Sequence, residues 1–239
     1  STALTTTGNV TGDGLTAATT EYDYPDGSSA LTDVPKYTKR TDDWFGRTAA
    51  NPQETFYDAP EPTAGSDRVS EITVRDVDFD VVTKTVSHNT GDWKDGLVKE
   101  TSTIKRTGAI DPATNERPDA ETLTSTKYFW SLGTGTGGNN PRLTKTEATN
   151  DSGLTKATEF EYDQYNNQTR SKEYDYAAPG TLGSLLRTTE TTYETGSGWI
   201  NANLLSLPKS VKTIVGGTTV SKTLLEYDHN GSDATLSRR

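Results

Sequence analysis

Asp76, Asp78 and Asp80 alternate along one Val- and Phe-bearing run. In a strand, residues i, i+2 and i+4 share a face, so the three carboxylates would line one surface. That is an arrangement for Ca2+, a cation that takes roughly six to eight oxygen ligands. A flat strand, however, spaces alternate side chains about 7 Å apart, and a solvated acidic face is the simpler reading. The stretches Asn89-Thr90-Gly91-Asp92 and Asp228-His229-Asn230-Gly231 are rich in oxygen donors. Both lack the length and closing Glu of a calcium loop and read as turns. His88 and His229 are the two histidines and there is no Cys, so no zinc ligand set is spaced along the chain. No nucleophile elbow is present. Carboxylate pairs for glycoside hydrolysis are available anywhere among 34 acids and therefore decide nothing. Gly133–Gly138 alternates glycine but has no Lys-Ser/Thr and no helix after it, which argues against a phosphate cradle. These residues assign no catalytic group, no cofactor and no metal, and the chain reads as a non-enzyme.

A different pattern recurs. Tyr-Asp stands at Tyr22-Asp23, Tyr57-Asp58, Tyr162-Asp163, Tyr174-Asp175 and Tyr227-Asp228, in most cases closing a strand-like run. Four positions beyond the Tyr come Asp26, Asn166 and Gly231, all able to adopt a left-handed backbone. Strand, aromatic, acid and turn make a hairpin unit. A Tyr at a strand end can lay its ring over the neighbouring hairpin with its hydroxyl in water, while the Asp accepts turn N–H groups.

The elements that position these pairs are β-strands. Only 30% of the 239 residues are apolar, mean hydropathy is −0.77, and Thr is close to one residue in five. Thr is β-branched and polar, and suits strands whose side chains still touch water. The alternating Val, Ile, Thr and Tyr runs count against intrinsic disorder. The formal charge of −10, with no basic cluster longer than two residues, leaves no footprint for nucleic acid. No apolar run approaches the roughly 18 residues of a membrane span. Lack of Cys excludes a disulfide framework, and lack of Met points to a processed or excised chain.

Residues 1–68 predict short strands around Thr16–Tyr24 and Glu54–Tyr57 joined by long loops. From Val69 to Ser87 the apolar phase changes: Ile72 and Val74 share one parity, Val77, Phe79 and Val81 the other, which predicts a bulge or tight bend near Arg75-Asp76. Strands are predicted over 97–108, 121–132, Arg142–Thr149, Leu154–Tyr162, Gln168–Tyr176 and Leu186–Tyr193. The clearest hairpin joins Lys209–Val215 to Thr218–Tyr227 through Gly216-Gly217, which supply the positive φ of a primed turn. Ser197–Leu207 reads as a short turn or irregular crossover rather than a stable helix. The fold class is all-β: antiparallel hairpins stacked into a long, twisted sheet, with a β-sandwich as the alternative.

The segments PRLTKTE (141–147), FEYDQYNNQT (160–169), KEYDY (172–176), LRTT (186–189), LSLPKSV (205–211) and LLEYD (224–228) are similar, in order and spacing, to bacterial RHS/YD-repeat proteins. The resemblance divides the chain into a Thr-rich, loosely repeat-like region over 1–140 and a YD-repeat sheet over 141–239. It implies an interior stretch of a β-shell, of the kind found in insecticidal toxin complexes and teneurins, in a secreted or cell-surface protein that encloses an effector. That family's self-cleavage motif, Asp-Pro-x-Gly, is not matched: Asp111-Pro112-Ala113-Thr114 lacks the Gly. The implied function is a structural wall or scaffold, with the rest of the parent protein or further copies pairing at open sheet edges. The alternative is an adhesin or glycan-binding module using the Gly133–Pro141 loop and Trp130, with Trp44-Phe45, Trp93, Phe129 and Trp199 as further aromatics. Asn9, Asn150, Asn167 and Asn230 head N-glycosylation sequons.

Overall fold

Thr, Val, Ile and Tyr at alternate positions favour extended backbone, and each run ends at a residue that turns the chain. The computed structural model describes residues 4–8, 18–23, 38–43, 53–133 and 140–227. The strands are β1 (Leu4–Gly8), β2 (Ala18–Asp23), β3 (Lys39–Asp43), β4 (Gln53–Asp58), β5 (Arg68–Arg75), β6 (Asp80–Ser87), β7 (Val98–Thr107) and β8 (Asp119–Leu132). They continue as β9 (Pro141–Thr149), β10 (Thr155–Tyr162), β11 (Gln168–Tyr174), β12 (Leu185–Tyr193), β13 (Pro208–Val215) and β14 (Thr218–Leu224), with one helical turn, α1 (Ser197–Asn201), between β12 and β13. β1 to β7 lie side by side and antiparallel in chain order, as do β9 to β14, so the fold is all-β and built of consecutive antiparallel hairpins. Among the described residues no helix is long and apolar enough to cross a membrane.

The chain forms two compact units, one of Ser1–Gly91 with Asp95–Ser125 and one of Asp92–Lys94 with Thr126–Arg239. In the first, β5 and β6 are joined by a turn in which Asp76 N–H donates to Phe79 O at 2.8 Å. The change of apolar phase near Arg75-Asp76 is therefore the tight bend of the two alternatives, a hairpin reversal rather than a bulge within one strand. Asp76, Asp78 and Asp80 accordingly do not line one flat face. Asp76 is a turn residue whose carboxylate accepts the Val77 N–H at 2.7 Å, and Asp80 opens the next strand, fully buried. Residues 1–68 hold more strand than their turn-rich composition suggests: β1 and β3 pair with β2 in register, Thr6 opposite Thr20 and Glu21 opposite Thr41. Lys39-Arg40-Thr41-Asp42-Asp43 has no apolar residue to betray a strand. Its place is set by cross-strand partners, Thr20 Oγ1 donating to Asp42 Oδ1 at 2.8 Å among them.

In the second unit the hairpins close through local chemistry. Asn150 Oδ1 accepts Leu154 N–H while Gly153, at φ +75°, lets the chain reverse. Gly216 and Gly217 adopt φ +56° and +79°, the two positive values a primed turn needs. α1 is a single turn, with Ile200 N–H bonded to Gly196 O; Trp199 is its buried residue.

The buried apolar residues among those described are Val82, Ala157 and Trp199. Buried polar side chains outnumber them: Asp80, Arg117, Thr155, Asn167, Thr188 and Ser210. Most strand residues are half-buried on both faces; β9 after Pro141 and β11 after Gln168 show no alternation of buried and exposed positions. No second layer covers either face of these strands among the described residues.

Glycine positions separate two kinds of constraint. Around Gly217 there is open space, so Gly217→Ala meets only the left-handed backbone penalty, about 1 kcal/mol. A Cβ on Gly183 would collide with the Asp175 carbonyl and break the Asp175–Ser184 backbone bond. Urea denaturation of the two variants should show Gly183→Ala as the more destabilised, although its φ is not left-handed.

Candidate functional site

In the first unit, directly opposed residues share a face, and one register row reads Glu54, Arg75, Asp80, Arg106 across β4 to β7. The neighbouring row is Phe56, Thr73, Val82, Ile104. The loop from Gly108 to Pro118 folds onto this face. Its Arg117 is 8% exposed and Asp80 1%, and Arg117 Nε donates to Asp80 Oδ1 at 3.2 Å. The rest of that guanidinium binds backbone carbonyls: Gly108 O at 2.6 Å, Val77 O at 2.7 Å and Asp76 O at 3.1 Å. Arg75 donates to both Asp80 oxygens at 3.3 Å, and to Asn115 Oδ1 and O at 3.0 and 2.6 Å. Asn115 sits at φ +57°, which Asn tolerates better than most residues. The Arg75 guanidinium also lies 4.6 Å from the Phe56 ring centroid. A small recess of about 190 Å³ lies among Phe56, Glu71, Arg75, Arg106 and Asn115. Arg106 in it is paired with Glu71 at 3.4 Å and Glu116 at 3.0 Å. The cations here are occupied by partners of the protein itself, so the arrangement holds the loop down.

The Tyr-Asp pairs occupy strand ends. Tyr22-Asp23 and Tyr57-Asp58 end β2 and β4, opposite Arg40-Lys39 and Ile72-Glu71. The Asp23 backbone oxygen accepts from Thr38 N–H at 2.8 Å, and the Asp58 side chain is exposed. Tyr162 ends β10, and its hydroxyl donates to Leu143 O in β9 at 2.9 Å. Tyr227, three residues past β14, donates to Pro208 O at the start of β13 at 2.8 Å. Tyr193, at the end of β12, makes the same bond to Gln168 O at the start of β11 at 3.0 Å. These hydroxyls are therefore not left to water: each clamps the end of a strand to the first residues of the strand before it. Tyr193 is followed by Glu194 and so falls outside the Tyr-Asp pattern; a search for Tyr-acid would have found it. Tyr174 ends β11 and donates instead to Glu159 Oε2 at 2.8 Å.

Asp163 does the turn work expected of it. Its Oδ1 accepts Tyr165 and Asn167 N–H at 2.8 and 3.0 Å, and Oδ2 accepts Asn167 Nδ2 at 2.9 Å, with Asn166 left-handed at φ +68°. Asn167 also reaches Leu205 O at 2.7 Å. With its amide buried and doubly bonded, the Asn167 sequon offers no acceptor nitrogen for glycan transfer. Arg142 Nε donates to Asn166 Oδ1 at 2.5 Å, and a Cβ at Gly133 would strike its guanidinium. The Asp175 carboxylate accepts the Tyr176 N–H at 2.8 Å. Trp199 meets the Tyr227 ring edge-on, centroids 5.9 Å apart, and Phe129 lies under the Lys145 ammonium at 5.5 Å. His88 contributes backbone bonds to Leu97 and Gly96. Asp26, Trp44, Phe45, Asp228, His229, Gly231, the loop residues 134–139 and the sequons at Asn9 and Asn230 lie outside the described residues. Among the described residues no three His, Cys, Asp or Glu side chains are grouped to hold a metal ion.

Compared with protein-family models the chain matches none, and no curated protein matches it either.

Arg117→Ala would leave Asp80 buried with one partner and uncap three carbonyls, a cost of about 3–5 kcal/mol by chemical denaturation. Conservative Arg117→Lys should recover little, because an ammonium cannot reproduce the planar fork.

Burial raises the Tyr162 phenol above the ordinary tyrosine value, outweighing the pull of Arg142 in the other direction. Burial likewise raises Tyr193, helped by the Asp163 carboxylate. A raised folded value means the native state holds the proton more tightly than the unfolded chain. This contribution is fully present below the ordinary value of about 10 and is lost as pH rises through the folded values. Stability should therefore fall above pH 10 in step with phenolate absorbance, and a Tyr162→Phe, Tyr193→Phe double variant should show a shallower fall. At neutral pH each Phe substitution should cost about 0.5–1.5 kcal/mol.

Proposed function

We propose that the chain is a non-enzymatic structural segment, a single-layer strip of β-wall in a secreted or cell-surface protein of the RHS/YD-repeat kind. It would enclose an effector or scaffold a surface. The observation that carries this reading is the half-exposure of the strands on both faces, with β9 and β11 the plainest cases. A domain built to fold by burying apolar area seals one face. Here the strands are held by what lies beside them. Supporting it, the tyrosine clamp recurs at 162, 193 and 227, spacings of 31 and 34 residues. A device repeated once per hairpin suits a chain that extends by adding hairpins. The glycan-binding alternative asks for aromatic faces open to a sugar; Trp199 is buried and Phe129 is partly covered by Lys145.

The chain contains no Cys, so single cysteines report each face cleanly. Thr146→Cys and Glu147→Cys, on opposite faces of β9, should react with a hydrophilic maleimide at comparable rates in the native full chain. Labelling of one and protection of the other until urea is added would show a sealed face and overturn the wall reading.

A further inference from the structure

Two N-glycosylation sequons fall within the described residues, headed by Asn150 and Asn167, and the fold treats their side-chain amides in opposite ways. Glycan transfer needs the amide nitrogen free of other bonds and the Ser or Thr two residues on within reach, so such sites belong to surface turns. Asn167 is buried, and its Nδ2 donates to Asp163 Oδ2 at 2.9 Å and to Leu205 O at 2.7 Å. Both hydrogens of that amide are taken up. Asn150 stands at the turn between β9 and β10, where its N–H donates to Leu154 O and its carbonyl accepts the Gly153 N–H, each at 3.0 Å. Its side chain uses the oxygen alone: Oδ1 accepts the Leu154 N–H at 2.9 Å, and Nδ2 has no acceptor among the described residues. Asp151, Ser152 and Gly153 are all exposed. The Ser152 hydroxyl makes one long bond, 3.4 Å, to the Asp151 carboxylate beside it.

A second observation concerns the surface around this turn. Leu154, bonded through its N–H to Asn150, is 41% exposed, and Tyr176 is 43% exposed. The Lys156 ammonium lies 5.7 Å from the Tyr176 ring centroid, so these two apolar side chains flank one lysine at the same end of the unit. A bulky hydrophilic group on Asn150 would cover apolar surface that the sheet itself leaves open.

We propose that Asn150 is the acceptor of an N-linked oligosaccharide, delivered from a polyprenyl-pyrophosphate donor by an oligosaccharyltransferase. In the transfer Nδ2 attacks the anomeric carbon of the first sugar, the C1–O bond breaks, and its electron pair leaves with the pyrophosphate. Nδ2 gives up one of its two hydrogens as a proton, and no oxidant or reductant is needed. The new bond is at nitrogen, so the Oδ1 bond that closes the turn survives in the product. The proposal goes beyond the wall reading and takes from it only the secreted or cell-surface setting in which such donors are met.

The native full chain, incubated with a purified single-subunit oligosaccharyltransferase and its lipid-linked oligosaccharide, is read site by site through glycopeptide mass spectrometry. Synthetic peptides spanning residues 146–156 and 163–173 serve as unfolded acceptors. Both peptides should be modified, whereas the native chain should carry glycan at Asn150 and not at Asn167. Ser152→Ala removes an exposed hydroxyl, so the urea midpoint should hold while labelling at Asn150 is lost. Ser152→Thr should keep the label. Three results would overturn the proposal: a native chain unmodified at Asn150, native labelling of Asn167 as fast as that of Asn150, or labelling that persists in Ser152→Ala. Failure here leaves the wall reading where the two β9 cysteines put it, and a sealed β9 face removes that reading whatever the transferase does.

Discussion

Among the described residues the strands bury very few apolar side chains, and much of the construction follows from that. With Val82, Ala157 and Trp199 as the buried apolar residues among those described, apolar burial is spread thinly. Free energy must come from contacts between neighbouring strands: the hydrogen-bond ladder, β-branched and Thr pairs, and opposed charges. Thr149 bonded to Thr155 and Thr192 bonded to Ser210, each at 2.8 Å between hydroxyls, are what such a sheet uses where a sandwich would place Val or Leu. The abundance of Thr is the compositional trace of strands that must be extended and wet at once.

Exposed charge pairs contribute little to stability, commonly under about 1 kcal/mol each. Their alternation matters more for register. A sheet lacking one buried face has weak protection against slippage, because a one-residue shift transfers no apolar set into water. Rows such as Glu161, Arg170 and Glu190 supply the missing penalty, since a slip would place charges against Ser or Thr. The tyrosine clamps act at the strand ends for a related reason. Frayed ends expose main-chain carbonyls, and a phenol that is itself half-buried reaches one carbonyl in each of three successive hairpins. In the first unit the buried Asp80 plays the corresponding part, joining two strands and the loop 108–118 through Arg75 and Arg117. Buried ion groups are poor sources of net stability but severe penalties when broken, so the loop is held in one place rather than merely attracted to the sheet.

Among the described residues many ionic groups are engaged with each other, Arg106 with Glu71 and Arg170 with Glu190 among them. The wall reading proposed above asks for two such properties: side chains that tolerate water on both faces, and register that does not drift.

The order of strands, the glycine turn at 216–217, the turn chemistry of Asp163 with Asn166, and the all-β class were legible in the sequence, because hairpin propensity is local and turn residues announce it. β3 was not, since KRTDD owes its conformation to the strands on either side. Nor were the fates of the hydroxyls: Tyr162, Tyr193 and Tyr227 read alike as strand-end aromatics, and only the register brings a carbonyl within reach. The spacing of Asp76, Asp78 and Asp80 pointed to one acidic face, and the turn between them divides the set and buries one member. That Arg117 would reach back across 37 residues to Asp80, and that Lys222 would stand in a row begun at Glu161, are facts of pairing between strands. The sequence by itself determined which segments extend and where they turn, through side-chain sterics and local hydrogen bonds. The tertiary structure alone decided which charges and hydroxyls meet, because those distances depend on register summed over several hairpins.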